Sequence, residues 1–205
     1  MSGTDLTALV VAVVGVAGTM GAPWLSQRAH RWEAREQAER DERAREQERR
    51  DQAFEHRREL YAALNSTARA YRSTARDMAL SLRRGEPVDR QELAGIDRAR
   101  DAYREQYAQA QMVLPQRTLE VVEEANRCLG HGYESVRRLA LVRDPQDAAD
   151  PALAWLRGPA SDAVLLLRQA LREDLGVIEP IADLEQQLAK LEDQRTLRGA
   201  EAVRD

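Results

Sequence analysis

Between Asp5 and Arg28 the chain carries no charged side chain over 22 consecutive residues, and this run most constrains the fold. Residues 6–25 of it read LTALVVAVVGVAGTMGAPWL, which is almost wholly apolar. Roughly 20 apolar residues in a helix cross a hydrocarbon core about 30 Å thick. Because lipid offers the backbone no hydrogen-bonding partner, such a run must be helical. We therefore predict a transmembrane helix over residues 6–27, preceded by a short N-terminal tail, residues 1–5.

The arginines around the run predict its orientation. The tail, MSGTD, has no lysine or arginine, whereas Arg28, Arg31 and Arg35 follow the run closely. The positive-inside rule predicts a single-pass protein of the cell membrane, with its N-terminus outside and its C-terminal bulk cytoplasmic. The lack of a basic start also argues against a cleaved signal peptide. Small residues four apart on the run are compatible with association of two spans, or with the ordinary composition of a span.

Residues 28–59 are densely charged, with ten arginines, ten acidic residues and no glycine or proline. Acidic residues precede arginines by four positions, which stabilises a helix by about 0.2–0.5 kcal/mol per pair. The pairs are Glu36–Arg40, Glu39–Arg43, Asp41–Arg45 and Glu46–Arg50. This pattern favours a charged helical stalk over a disordered linker. The stalk lacks a leucine or isoleucine seam, and the sequence leaves open whether it is a lone helix or a paired one.

From Leu60 onward, apolar residues recur at steps of three and four, which predicts a helical bundle over residues 60–198. Gly85 and Pro87 predict the end of one helix, and Asp89 with Glu92 predicts the N-terminus of the next. Residues 144–151 are predicted to be a polar loop, and residues 152–157 a turn or a short helix. Short connections favour antiparallel neighbours, in a bundle of about four or five helices. Because no segment alternates with period two, the predicted fold class is all-α, built from a transmembrane helix, a long charged helix and an antiparallel bundle or coiled coil. Residues 199–205 are predicted to be a disordered tail.

One helix face combines three side chains that can bind metal ions. Glu124, Cys128 and His131 are spaced by four and three residues. Three ligands on one helix rarely close a metal site, so we interpret Cys128 as a small buried hydrophobe and His131 as a surface residue. The chain shows no phosphate-binding loop, dinucleotide motif or activated nucleophile. No catalytic, cofactor-binding or metal-ligating residue is predicted.

The segment Gly130-His131-Gly132 interrupts a good helical seam, because two glycines weaken a helix by about 1 kcal/mol each. It marks a bend, a close helix crossing, a gap that faces a ligand, or a tolerated defect. Asn126 on the same seam either sets register as a buried polar residue or lies at a solvated edge. The five tyrosines are interpreted as core residues. They are Tyr61, Tyr71, Tyr103, Tyr107 and Tyr133.

The formal net charge of −4 argues against a nucleic-acid partner, because phosphates demand a basic face. Lys190 is the only lysine among 31 basic residues, which we attribute to base composition of the gene. Cys128 is the only cysteine, so no internal disulfide can form, in keeping with a reducing compartment.

The layout resembles that of uncharacterised single-pass membrane proteins of high-GC actinobacteria. Three segments carry the resemblance: MSGTDLTALVVAVVGVAGTMGA, RAHRWEAREQAERDERAREQERR and ELYAALNSTARAYR. They cover roughly the first third of the chain and are compositional. The resemblance implies a membrane anchor with a helical C-terminal region, and no activity.

The sequence favours a membrane-anchored helical scaffold or protein-interaction module without catalytic activity. Its expected partners are the membrane, a second copy of the chain through the span or the heptad seams, and a protein that the sequence does not identify. The alternative is a membrane-proximal regulator whose helical head binds a small ligand near Gly130–Gly132. An enzyme is disfavoured, since no polar cluster converges in the sequence.

Overall fold

The structure is a computed structural model that describes the backbone of residues 3–201 and the side chains of Trp32 and residues 35–197. The predicted membrane span, residues 6–27, and the predicted tail, residues 199–205, lie outside the described side chains. Among the residues that are described, no helix is long and apolar enough to cross a membrane.

Six helices and no strand occur in residues 3–201, so the predicted all-α class is confirmed for this part of the chain. Their bounds are α1 Gly3–Arg83, α2 Arg90–Ala110, α3 Gln116–Leu139, α4 Ala149–Arg157, α5 Pro159–Asp174 and α6 Leu184–Glu201. The chain divides into two compact units, Met1–Phe54 and Glu55–Asp205. We call the second unit the head.

In the first unit the described side chains are exposed and the helix is supported along its own surface. Three of the four predicted acid–arginine pairs form, and they are Glu36–Arg40, Glu39–Arg43 and Glu46–Arg50. The fourth predicted pair was Asp41 with Arg45. In the structure, Asp41 instead accepts a hydrogen bond from Nε2 of Gln37 at 2.9 Å. Each exposed pair contributes at most about 0.5 kcal/mol, so the pairs add to helix propensity without fixing a tertiary contact.

The head begins with the last turns of α1, whose predicted seam is buried. Its members are Leu60, Leu64, Ala68, Tyr71, Ala75, Met78 and Leu82. They join one apolar core to which α2 to α6 also contribute, and α3 packs against α4, α5 and α6. The heptad pattern of this segment is therefore accounted for by packing inside the head.

Local chemistry explains where the helices of the head begin and end. Gly85, two residues after the end of α1, adopts φ 72°, a left-handed conformation that glycine adopts without steric cost. Asp89 caps α2, since its Oδ1 accepts from the backbone N of Glu92 at 2.8 Å while Oε2 of Glu92 accepts from the backbone N of Asp89 at 2.9 Å. The helix starts and stops predicted at these positions are confirmed.

Helix α4 is the main departure from the predicted bundle. The sequence pattern placed a polar loop up to Pro151 and at most a short helix after it, whereas α4 starts at Ala149. Pro151 lies in its first turn, where a missing backbone N–H costs no intrahelical hydrogen bond. With α4, the described part of the head contains one helix more than the upper end of the prediction.

Candidate functional site

Glu124 lies at the centre of the polar network in the head. This carboxylate on α3 is 3% exposed. It accepts hydrogen bonds from Nε of Arg127 at 2.8 Å and from Nε of Arg195, on α6, at 3.1 Å. Such charge-assisted bonds are the partners that a buried carboxylate requires. Glu124 therefore fixes one nitrogen of each guanidinium and leaves their remaining donors to other partners.

Cys128 and His131 do not join Glu124 in a metal site. The thiol of Cys128 is fully buried, 3.5 Å from Oε1 of Glu124, and burial followed by the nearby Glu124 charge raises the pKa of Cys128 to about 12. The His131 ring packs against the Trp155 ring, with centroids 4.5 Å apart. No group of three or more metal-binding side chains occurs among the described residues. Cys128 is thus the buried residue that was predicted, whereas His131 is half-buried.

The two glycines beside His131 have different surroundings. A Cβ on Gly132 would lie 2.7 Å from Cδ2 of Leu156 and 3.4 Å from Cδ1 of Trp155, so Gly132 allows α3 and α4 to approach closely. A Cβ on Gly130 would meet nothing within 4 Å, because Gly130 borders an open cleft. The interruption of the seam therefore combines a close helix crossing with a gap.

That cleft has a volume of about 410 Å³ and is formed by α1, α2, α3 and α6. We call it the arginine cleft, because four of its ten lining residues are arginines. The lining residues are Tyr71, Arg100, Tyr103, Arg104, Asn126, Arg127, Gly130, His131, Glu134 and Arg195. Glu134 is the only carboxylate among them. Glu123, Glu124 and Glu192 pair with Arg127 or Arg195 just outside this lining, so the four carboxylates formally balance the four arginines.

The two arginines that α2 contributes have no carboxylate partner among the described residues. The guanidinium of Arg100 lies over the ring of Tyr133, 4.6 Å from its centroid. Arg104 forms no ion pair within this part of the chain and is exposed at the rim. Cation–π contact leaves the in-plane N–H donors of a guanidinium available. Arg100 and Arg104 therefore face the cleft with unused donors.

Tyr103 lies beneath this cleft, and its hydroxyl is closed to solvent. Its side chain is fully buried, between Tyr71 at 5.8 Å and Tyr107 at 6.1 Å between ring centroids. Its hydroxyl has no hydrogen-bond partner among the described residues. Burial raises the pKa of Tyr103, so the hydroxyl stays protonated at neutral pH and can donate. A buried donor without a partner costs about 1–3 kcal/mol, which a bound acceptor would recover.

Sequence reasoning assigned Tyr71 and Tyr103 to the core, where they lie, and left the role of Asn126 open. Asn126 is half-buried and lines the arginine cleft, next to Arg127. The arginines of the cleft gave no signal in the sequence, because 30 arginines are spread along the chain. Only the packing of α2 and α6 against α3 brings this particular set together.

Comparison with known proteins found no matching family model, no matching curated sequence and no matching solved structure. The resemblance to actinobacterial single-pass membrane proteins therefore stays a prediction.

Proposed function

We propose that this chain is a membrane-anchored helical regulator whose head binds a small, multiply charged phosphate-type anion in the arginine cleft, without catalysing a reaction. The observation that carries the proposal is the convergence of four arginines on one cleft, two of which, Arg100 and Arg104, have no carboxylate partner among the described residues. Guanidinium groups match the oxygen geometry of phosphate, and a phenol hydroxyl adds one more donor. The proposal is the ligand-sensing alternative of the sequence analysis, with the class of ligand named.

The cleft favours an anion of modest affinity. Arg104 and Glu134 lie at an exposed rim, where charge interactions are weakened by water and by salt. Arg127 and Arg195 already use one donor each on Glu124. We expect a dissociation constant of roughly 10 µM to 1 mM, which corresponds to about 4–7 kcal/mol of binding free energy.

Thermal unfolding of the full-length protein in detergent tests this proposal, with inorganic phosphate and pyrophosphate as probes and chloride at equal ionic strength as reference. At ten times the dissociation constant, ligand binding stabilises a protein by about 1.4 kcal/mol and raises its Tm by roughly 3–5 °C. Arg104→Ala should reduce the shift. Arg168→Ala, an exposed arginine on α5 outside the cleft, should not. Equal shifts in the two variants, or no shift in the parent protein, would reject the proposal.

A protein-interaction role is the second candidate, favoured by two apolar loop positions in the head. Met112, after α2, is 86% exposed, and Leu141, after α3, is 88% exposed. Single exposed apolar side chains are ordinary, whereas contiguous ones mark contact sites, and here the neighbouring Val113 and Val142 are exposed as well. The seam from Leu60 to Leu82, which first favoured this role, is buried inside the head, so the arginine cleft has the stronger support. Cross-linking with Leu141→Ser and Met112→Ser variants tests it, since an interaction through these loops should weaken in one of them.

We also propose that the uncharged run anchors the protein in the cell membrane, with the C-terminal bulk cytoplasmic. The support is the length and composition of residues 6–27 and the arginines that follow. A reporter fused after Asp205 should be active only on the cytoplasmic side. Activity on the external face would reverse the orientation, and release of the full-length chain by alkaline carbonate would reject the anchor.

A further inference from the structure

We propose that a phosphate-type anion in the arginine cleft clamps α6 onto the head through Arg195. The inference rests on the proposed function and adds its consequence, a ligand-controlled position of the C-terminal helix. Few side chains attach α6 to the rest of the head. In its described part, residues 184–197, only Leu184 and Leu191 are buried, and Leu188 is half-buried. A helix with so few buried side chains detaches more readily than the core helices.

Arg195 supplies the polar part of this attachment. Its bond to Glu124 is the only side-chain hydrogen bond between the described part of α6 and another helix. The same side chain lines the arginine cleft. Arg195 bonds to Glu124 through Nε, and its Nη2 lies 3.7 Å from Oε1 of the exposed Glu192, which is beyond hydrogen-bond distance. Its terminal amino groups therefore keep donors that an anion can accept from.

An anion in the cleft would therefore bond to arginines of α2, α3 and α6 at once. Arg100 and Arg104 come from α2, Arg127 from α3 and Arg195 from α6. Because Arg195 reaches the cleft only when α6 is docked, the anion binds the docked state better than the detached one. Thermodynamic linkage makes the two effects equal. If docking of α6 tightens anion binding by a given factor, saturation with the anion favours docking by the same factor.

The opposite coupling would require the anion to take Arg195 away from Glu124 and so release α6. Glu124 is almost completely buried, and removal of one partner from a buried ion pair costs several-fold more than an exposed pair gains. Arg127 would be left as its only guanidinium partner. We therefore expect the anion to use the free donors of Arg195 while the bond to Glu124 persists.

Hydrogen–deuterium exchange of the full-length protein in nanodiscs tests this clamp, read by mass spectrometry on peptides from residues 184–197. With pyrophosphate at ten times its dissociation constant, exchange of α6 should slow several-fold; about elevenfold is the upper limit, reached only if the detached state does not bind the anion. Peptides from α5 that are remote from the cleft should change less. Unchanged or faster exchange of α6 in protein that demonstrably binds pyrophosphate would overturn the clamp.

Two variants separate this inference from the proposed function. Arg195→Ala should retain weakened pyrophosphate binding, through Arg100, Arg104 and Arg127, but lose the slowing of exchange in α6. Arg168→Ala should retain both. If calorimetry detects no pyrophosphate binding to the parent protein and phosphatidic acid in the discs has no effect, the proposed function fails. If binding is present and Arg195→Ala keeps the full slowing, only the clamp fails.

The phosphate group could be free or part of a lipid headgroup, and the nanodiscs distinguish these sources. Slowing with pyrophosphate in pure phosphatidylcholine discs identifies a soluble ligand as sufficient. Slowing with phosphatidic acid in the discs, in protein that does not bind pyrophosphate, identifies a headgroup. Either result supports the clamp, and no slowing in both arms overturns it.

Discussion

The contrast between Gly130 and Gly132 gives a sharp test of how α3 is packed. Alanine at Gly132 would place its Cβ 2.7 Å from Cδ2 of Leu156, a fully buried side chain that has little room to move. Overpacking of a core in this way costs about 1–3 kcal/mol. Alanine at Gly130 meets nothing within 4 Å. Both substitutions gain the same helix propensity, about 1 kcal/mol.

Because the propensity gain is common to both variants, it cancels when they are compared. The difference in unfolding free energy between Gly130→Ala and Gly132→Ala then measures the clash alone, about 1–3 kcal/mol. Gly130→Ala should be more stable than the parent protein by up to about 1 kcal/mol. For a chain of this size, the difference between the variants corresponds to roughly 2–12 °C in Tm.

The assay is thermal and chemical unfolding of the full-length variants, followed by the helical circular dichroism signal. A double-mutant cycle with Leu156→Ala identifies the clashing partner. Leu156→Ala should lower the free energy of unfolding less in the Gly132→Ala background than in the parent protein, with a coupling energy of about 0.5–3 kcal/mol. Equal stability changes for both glycine variants would refute the close crossing of α3 and α4. A normal Gly132→Ala protein with no coupling to Leu156 would do the same.

Three further predictions follow from the buried polar groups of the head. Glu124→Gln should destabilise the protein by about 1–3 kcal/mol, because Arg127 and Arg195 lose their shared counter-charge but stay partly hydrated; urea unfolding measures this. Cys128, whose pKa is raised to about 12, should react slowly with iodoacetamide in native protein at pH 8 and rapidly in urea, and fast native alkylation would contradict its burial. Alkali should destabilise the head, because the folded state holds the protons of Cys128 and the tyrosines to higher pH than the unfolded state does. The stability present below about pH 9 should be lost as the pH rises towards 12, and a phenolate signal that precedes unfolding would contradict this.

Much of the helical pattern of the head could be predicted because it depends on local chemistry. Gly85 follows the end of α1 and the Asp89–Glu92 cap starts α2, and both depend only on groups within a few residues of each other. The seam from Leu60 to Leu82 repeats at helical spacing, so its burial follows from amphipathicity. Helix α4 was underestimated, since Pro151 resembles a helix breaker until its place in the first turn is known.

The arginine cleft could not be predicted in the same way, because it depends on contacts between distant segments. Arg195 and Glu124 are 71 residues apart in the chain, and nothing near either residue marks the other as its partner. The sequence singled out Gly130–Gly132 as a place where a ligand could face the helix, and Gly130 does border the cleft. It did not show that arginines would surround that gap, since arginine is the common basic residue throughout the chain.

Calorimetric titration of pyrophosphate into the parent protein and into Tyr103→Phe tests the anion site most directly, because this substitution removes one oxygen and keeps the ring. A hydrogen bond to a charged group contributes about 1.5–3 kcal/mol, so Tyr103→Phe should weaken binding by roughly tenfold or more. The unbound variant should be at least as stable as the parent protein, because it loses a buried hydroxyl that has no partner among the described residues. Equal affinities in the two proteins, or no binding to either, would contradict the site as we describe it.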